Sequence, residues 1–394
     1  MSTSMSDTGA PLLFSPLKIR SVQLKNRIVV SPMCQYVSVD GAPTDWHLVH
    51  LGKFAIGGAA LVFGEETAIE ARGRKTYDCA GLWNDDHVGK YRRITDFLKS
   101  VGSVPAVQLG HAGIRGSCHG ATKDWVPLTP ENSSPACPPW TVIGPSRVDA
   151  SQVWPKVREM SRDDIRTMLR VWKEATQRSV DAGFQVLEIH GAHGYLIHEF
   201  LSPVTNRRTD GYGGGRDARM RFAFEVTEAV RDAWPAELPL FFRVSAVDGR
   251  GGVWGIEDTV ELSRGLKARG VDVVDVSSGG VSGPSNMPLV PRIPGYQVGY
   301  AEQIRHGAGI ATMAVGLITE PSQAEAILRE GRADLVALAR ELIWNPQWPA
   351  HAARQMRGEE GYETLPHEYC YRLKRREAEA RMPYNQKTPR RHEK

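Results

Sequence analysis

The sequence predicts an α/β fold, a single (β/α)8 barrel, on three observations. Eight short runs rich in β-branched residues recur along the chain, and each is followed by a stretch of helical length with an amphipathic pattern. Most of these runs are continuously apolar, as parallel strands buried on both faces are. No G-x-G-x-x-G follows a strand, which counts against an open dinucleotide-binding sheet. Strand–helix units in series close into a barrel or open into a doubly wound sheet, and a count of eight favours the barrel.

The expected strands are 27–33, 60–67, 104–111, 184–192, 238–246, 271–279, 310–317 and 333–340. Of the intervening helices, the one after Ser161 is the most sharply marked. Ser161 and Asp164 form a capping-box pattern, and Ile165, Met168, Leu169, Trp172, Ala175 and Ser179 share one face. A second begins at Thr319, read as its cap, with Pro321 in the first turn and Gly331 closing it. Residues 1–10 read as a disordered leader, 11–345 as the barrel and 346–394 as a helical extension, one helix plus a frayed end, that contacts a neighbouring subunit. Within the barrel, 112–160 form a long connection rich in Pro, Ser and Trp. A loop of that length in a compact domain is usually functional, and here it would lie over the C-terminal mouth, on the substrate side.

Composition narrows the function. The chain has 394 residues, 41% of them hydrophobic, and a formal charge of only +4. That is no basic stripe for nucleic acid. The basic tail (Arg372, Lys374, Arg375, Arg376, Arg381) is interleaved with Glu368, Glu377 and Glu379, as a solvated helix is. Five scattered cysteines with no C-x-x-C fit a reducing, cytoplasmic setting. No secretory signal is visible, and no apolar run reaches the ~20 residues of a membrane helix.

In a barrel, polar residues at the C-terminal strand ends converge on one mouth. Strand one ends Ser31-Pro32-Met33-Cys34-Gln35-Tyr36, strand three Gln108-Leu109-Gly110-His111, and strand four His190-Gly191-Ala192-His193-Gly194-Tyr195. Strand five carries Arg243, strand six ends Ser277-Ser278-Gly279-Gly280, strand seven ends in Gly316 and strand eight in Ala339-Arg340. A lone histidine at a strand end is more often structural than catalytic. Two histidines three apart with a tyrosine two further on reverse those odds. The glycines of strands six to eight suit a phosphate, and Arg340 suits a bidentate contact to it. His190 and His193 lack a third ligand in the motif, so a metal is disfavoured.

At these residues the chain resembles the old yellow enzyme family, in its thermophilic-like class, from Leu13 to about Pro346. The blocks are L-K-N-R-I-V-V-S-P-M-C-Q-Y (24–36), D-W-H-L-V-H-L-G (45–52), Q-L-G-H-A-G (108–113), H-G-A-H-G-Y-L-I-H-E-F-L-S-P (190–203), R-R-T-D-G-Y-G-G (207–214), R-V-S-A (243–246), S-S-G-G (277–280), A-V-G-L-I (314–318) and G-R-A-D-L-V-A-L-A-R-E-L-I (331–343). Cys34 and Tyr36 point to the class. The resemblance implies an FMN-dependent ene-reductase on a TIM barrel, a homodimer or homotetramer. NADPH or NADH would reduce the bound FMN. Hydride would then pass from flavin N5 to the β-carbon of an α,β-unsaturated carbonyl compound, with Tyr195 protonating the α-carbon. By the same resemblance, Ser31, Pro32, Met33, Cys34, Glu66, Gln108, Arg243 and Gly279 would line the flavin. Gly316, Ala339 and Arg340 would hold its phosphate. His190 and His193 would bind the substrate carbonyl, and Tyr36 would shape the substrate face.

The chain departs from the family pattern at four places. Glu66 stands where relatives commonly have Ala, a carboxylate that would disfavour an anionic reduced ring unless only its N–H faces the cofactor. Ile114-Arg115 replaces Arg-Lys, and Ala339-Arg340 replaces Gly-Arg. The tail lacks the short segment whose Arg enters a neighbour's site, leaving Arg372, Arg381 or Tyr384 for that part. Two alternatives stay open: a related flavin enzyme acting on a conjugated CoA thioester or other bulky substrate, and a barrel that binds FMN as a redox-sensing module.

Overall fold

The computed structural model describes residues 9–147, 157–249, 253–280 and 290–381. The expected leader lies almost wholly outside these residues, as do Tyr384 and the far end of the tail. Eight parallel strands close into a barrel: β1 (Ile28–Val30), β2 (Leu61–Ala68), β3 (Val104–Gly110), β4 (Val186–Gly191), β5 (Leu240–Ser245), β6 (Val273–Ser277), β7 (Ala311–Val315) and β8 (Leu335–Leu338), with β8 pairing back onto β1. Each lies within one of the runs read from the sequence, except that β2 runs one residue further, to Ala68.

Helices α1 (Asp45–Ile56), α2 (Asp86–Ser100), α3 (Arg162–Asp181), α4 (Leu196–Leu201), α5 (Arg216–Ala233), α6 (Ile256–Ala268), α7 (Val298–Ala308) and α8 (Pro321–Arg329) fall between the strands, and α9 (Arg340–Trp344), α10 (Trp348–Arg357) and α11 (His367–Ala380) follow β8. None of the described helices is long and apolar enough to cross a membrane.

Alternation along each strand divides the side chains. Outward residues such as Val62, Val107, Leu187, Ile189, Phe242 and Val274 pack under the helices. Inward residues fill the lower lumen with Val29, Leu61, Phe63, Ala106, Val186, Phe241, Val273, Met313 and Leu335. A hairpin, Leu17–Ile19 against Val22–Leu24, closes that end, and its Val22 and Leu24 join the same cluster.

The α3 cap forms as its sequence dictates. Ser161 Oγ accepts from Asp164 N at 3.1 Å, Asp164 Oδ2 accepts from Ser161 N at 2.8 Å, and Trp172 with Ile165, Met168 and Ala175 is buried. The cap of α8 differs from expectation. Glu320, not Thr319, is the N-cap residue, with Pro321 in the first turn. Thr319 is engaged elsewhere: its N–H donates to Gln323 and its carbonyl accepts from Trp348 Nε1 at 2.7 Å. That bond ties α10 to the barrel, a long-range demand that outweighs a local cap.

The tail is more structured than one helix and a frayed end. Pro346 lies against Gly57 at the end of α1, where an added Cβ would meet its carbonyl oxygen at 1.9 Å. Glu377 accepts from Arg354 and Tyr362 at 2.7 and 2.9 Å, pinning α11 to α10. The long connection after β3 is partly ordered by a short parallel ladder, Val142–Gly144 with Val157–Glu159.

Candidate active site

β2 contains a bulge that decides what enters the mouth. Its register with β3 steps from Phe63↔Ala106 to Glu66↔Gln108, three residues against two. The extra residue reverses which side chains face inward. Glu66 therefore points into the lumen above Phe63, while Glu65 turns outward to hold the β1–α1 connection. Glu65 accepts from Gln35 N at 2.9 Å and pairs with His47 Nε2 at 2.8 Å.

Above the apolar half of the lumen the inward positions become polar. Gln108 Nε2 on β3 donates to Glu188 Oε1 on β4 at 2.7 Å. Arg243 on β5 stands beside Asp275 on β6, its register partner. Arg243 Nε lies 3.1 Å from Asp275 Oδ2, close enough for an ion pair but off the line of a hydrogen bond. Arg243 Nη1 also reaches Ser31 Oγ at 3.4 Å. Burial holds the Glu188 and Asp275 carboxyls above their ordinary range, and Arg243 only partly offsets it. One Glu188 oxygen, both Asp275 oxygens, both Glu66 oxygens and Arg243 Nε are buried without a hydrogen-bond partner.

At the end of β4, His193 (φ +60°) and Gly194 (φ +73°) are both left-handed. A non-glycine residue there marks strain, which clusters at functional sites. The turn brings His190 and His193 to ring centroids 5.1 Å apart, and His190 and Tyr195 to 4.9 Å. His193 Nδ1 meets His190 Nε2 at 3.4 Å, and His193 Nε2 meets Ser277 Oγ at 2.7 Å. His190 Nδ1 is buried without a partner. Burial first, then the Arg243 charge, drives both imidazoles well below their usual pKa, so both are neutral near pH 7. Burial and then Glu66 push the Tyr195 phenol well up, so it keeps its proton.

The other expected site residues sit round this centre. Cys34 and Tyr36 follow β1, and burial raises both groups, leaving Cys34 a thiol. Tyr36 (φ +56°) packs its ring 4.9 Å from that of Trp125 in the long loop. Lys75 Nζ lies 3.5 Å from the Trp125 ring centroid, a cation–π contact. Gly279 backs His193, whose Cδ2 would stand 3.4 Å from an added Cβ. At the far side, Ser277, Gln297, Gly316, Leu317, Ala339 and Arg340 line a cleft between the ends of β6, β7 and β8. Gly316 (φ +124°) needs to be glycine, since an added Cβ would also meet Tyr296 and Gln297 at 2.9–3.0 Å. Arg340, exposed on that cleft, makes no ion pair among the described residues.

Glu188 and Asp275 are not among the site residues expected from the sequence. Both share the inward parity of His190 and Ser277, so the alternation already contained the signal. Trp125 and Lys75 carried no such signal, because only the folded loop brings them over Tyr36.

The site fits FMN. Its unpartnered polar edges lie where a heterocycle with donors and acceptors would rest, and a basic, glycine-lined cleft opens beside them. Residues 12–359 match the model of the NADH:flavin oxidoreductase / NADH oxidase family. The chain is 43% identical to an NADPH dehydrogenase of Geobacillus sp. (strain WCH70) over 348 residues, 88% of this chain and 94% of that one. It is 41% identical to an NADPH dehydrogenase of Bacillus licheniformis, over 87% and 94%. Among solved structures, morphinone reductase in complex with tetrahydroNAD superposes with a TM-score of 0.70 at 25% identity, covering 88% of this chain and 91% of that one. A 2-naphthoyl-CoA reductase shares the fold at a TM-score of 0.77 and 23% identity. The match covers 89% of this chain but only 53% of that longer one. The chain therefore belongs to the NADH:flavin oxidoreductase / NADH oxidase family, of the old yellow enzyme type, and is an NAD(P)H-dependent FMN oxidoreductase.

Proposed function

We propose that this oxidoreductase is an ene-reductase, acting on the C=C bond of α,β-unsaturated carbonyl compounds. The observation that carries the reading is the trio at the end of β4: the rings of His193 and Tyr195 each lie about 5 Å from that of His190 at the centroids. Bound FMN supplies the hydride chemistry, and the protein supplies position and charge.

Gln108, Arg243 and Ser31 would hold the pyrimidine edge, and Arg243 would offset negative charge there. Met33, Pro32, Cys34 and Gly279 would pack along the ring, and Gly316, Ala339 and Arg340 would hold the phosphate. As the β-carbon gains hydride, negative charge grows on the substrate carbonyl oxygen. His190 Nδ1, buried and unpartnered, is the ready donor to that oxygen. His193 joins it by exchanging its Ser277 contact. Preorganised donors of this kind are worth about 3–4 kcal/mol each. Tyr195 gives the α-carbon its proton, and Tyr36 with Trp125 shapes the substrate side. The nicotinamide donor uses the same pocket before the substrate does.

The test is anaerobic stopped-flow with NADPH and NADH, followed by cyclohexenone, a maleimide and a conjugated CoA thioester. Bleaching by a nicotinamide and recolouring by the enones are expected. Tyr195→Phe is expected to slow recolouring by about 10²–10⁴-fold and leave bleaching unchanged. Equal turnover of every enone by Tyr195→Phe would show that Tyr195 is not the acid.

A further inference from the structure

The carboxyl of Glu66 has no part in the reaction above. The β2 bulge turns it into the mouth, its side chain is buried, and no described residue hydrogen-bonds either oxygen. It lies against Gly110, where an added Cβ would stand 2.3 Å from Glu66 Oε1. The next residue, His111, accepts a hydrogen bond from Leu196 N at 3.0 Å, and Leu196 directly follows Tyr195. The ends of β2, β3 and β4 thus bring Glu66 and Tyr195 to one mouth, near enough for charge on Glu66 to act on the phenol. A buried carboxylate without hydrogen bonds is costly, so the neutral acid is the form that suits this place. Glu65 lies beside it on β2, Cys34 faces it from the end of β1, Gln108 is its register partner on β3, and Lys75 and Cys79 come from the segment after β2. Of these groups Lys75 is the cation.

We propose that Glu66, held as a neutral acid, returns to Tyr195 the proton that Tyr195 gives to the substrate. The inference rests on Tyr195 being the acid, and Glu66 acts only through it. The carboxyl O–H bond breaks and an O–H bond forms on the phenolate. The electron pair stays on the carboxylate, offset by Lys75, until a proton from water restores the acid. Burial raises Glu66 to about 8 and the phenol well above its ordinary 10, so the transfer runs downhill.

The test compares the holoenzyme with its Glu66→Gln and Glu66→Ala variants. Glutamine keeps the shape but carries no transferable proton. Steady-state kcat is expected to fall about tenfold or more, well beyond any change in the first, single-turnover recolouring. The parent loses kcat above about pH 8, and the variants lack that limb. Formate added to Glu66→Ala restores turnover. Parent-like steady-state kcat and pH profile in both variants overturn the proposal. A parent that enones do not recolour takes down the ene-reductase reading, an inert Tyr195→Phe removes Tyr195 as the acid and this proposal with it, and a damaging Tyr195→Phe beside a silent Glu66→Gln sinks this proposal alone.

Melting provides a readout free of turnover. A carboxyl raised by folding contributes stability that is full below its ordinary 4.5 and lost as pH rises through about 8. The melting difference is therefore expected to shift in favour of Glu66→Gln, or of Glu66→Ala should the former not fold, from about pH 5 to 9. A constant difference across that range overturns the proposal, because it means the folded protein holds no extra proton there.

Discussion

The two halves of the barrel lumen follow the same alternation and serve opposite ends. Below, the inward rows bring Val29, Phe63, Val186, Phe241 and Met313 into a closed apolar plug. One step higher on the same strands they bring Glu66, Gln108, Glu188, Arg243 and Asp275, with most of their charged atoms short of partners. The lower half is satisfied by the chain itself. The upper half is satisfied only in company with a ligand, and unsatisfied buried groups are tolerated where function requires them.

The division can be broken from either side. The largest expected effect is below: Phe241→Ala costs about 3–5 kcal/mol of stability by chemical denaturation, since Phe241 is fully buried in the plug. Its folded fraction is expected to keep FMN affinity near that of the parent, and a flavin lost in step with stability would mean that the halves are not separable. Above, His190→Ala is expected to lower alkene turnover by about 10²-fold with a melting temperature close to the parent's. A variant that melts early with full turnover would reverse the assignment.

The smallest effect is a pH slope. Burial drives His198, beside this turn, down to about 3 from an ordinary 6.5. A histidine whose folded pKa is depressed gives stability that is present above pH 6.5 and lost on acidification below it. The parent is therefore expected to melt progressively earlier below that pH, and His198→Gln to flatten the slope. An unchanged slope in the variant would remove His198 from the acid response.

Much of this was legible beforehand because it is local. Each barrel strand was readable from its apolar run, and the α3 cap from Ser161 and Asp164, since neither needs a distant partner to be recognised. The meeting of His190, His193, Tyr195 and Arg243 at one mouth follows from their places at strand ends, once a barrel is granted. The cap of α8 was misread because Trp348, far along the chain, claims the Thr319 carbonyl. The tail was underestimated for a similar reason: Glu377 acquires its meaning from Arg354 and Tyr362, which only folding brings to it.

The sequence by itself determined the barrel and the side chains available to its mouth, because periodicity and strand order are properties of the chain alone. Only the tertiary structure decided which groups go without partners and which way the second acid of Glu65-Glu66 faces. A single bulge in β2 sends Glu65 to His47 and Glu66 into the lumen. That choice lies in the pairing between strands, where one residue of register moves a side chain from one face of the sheet to the other.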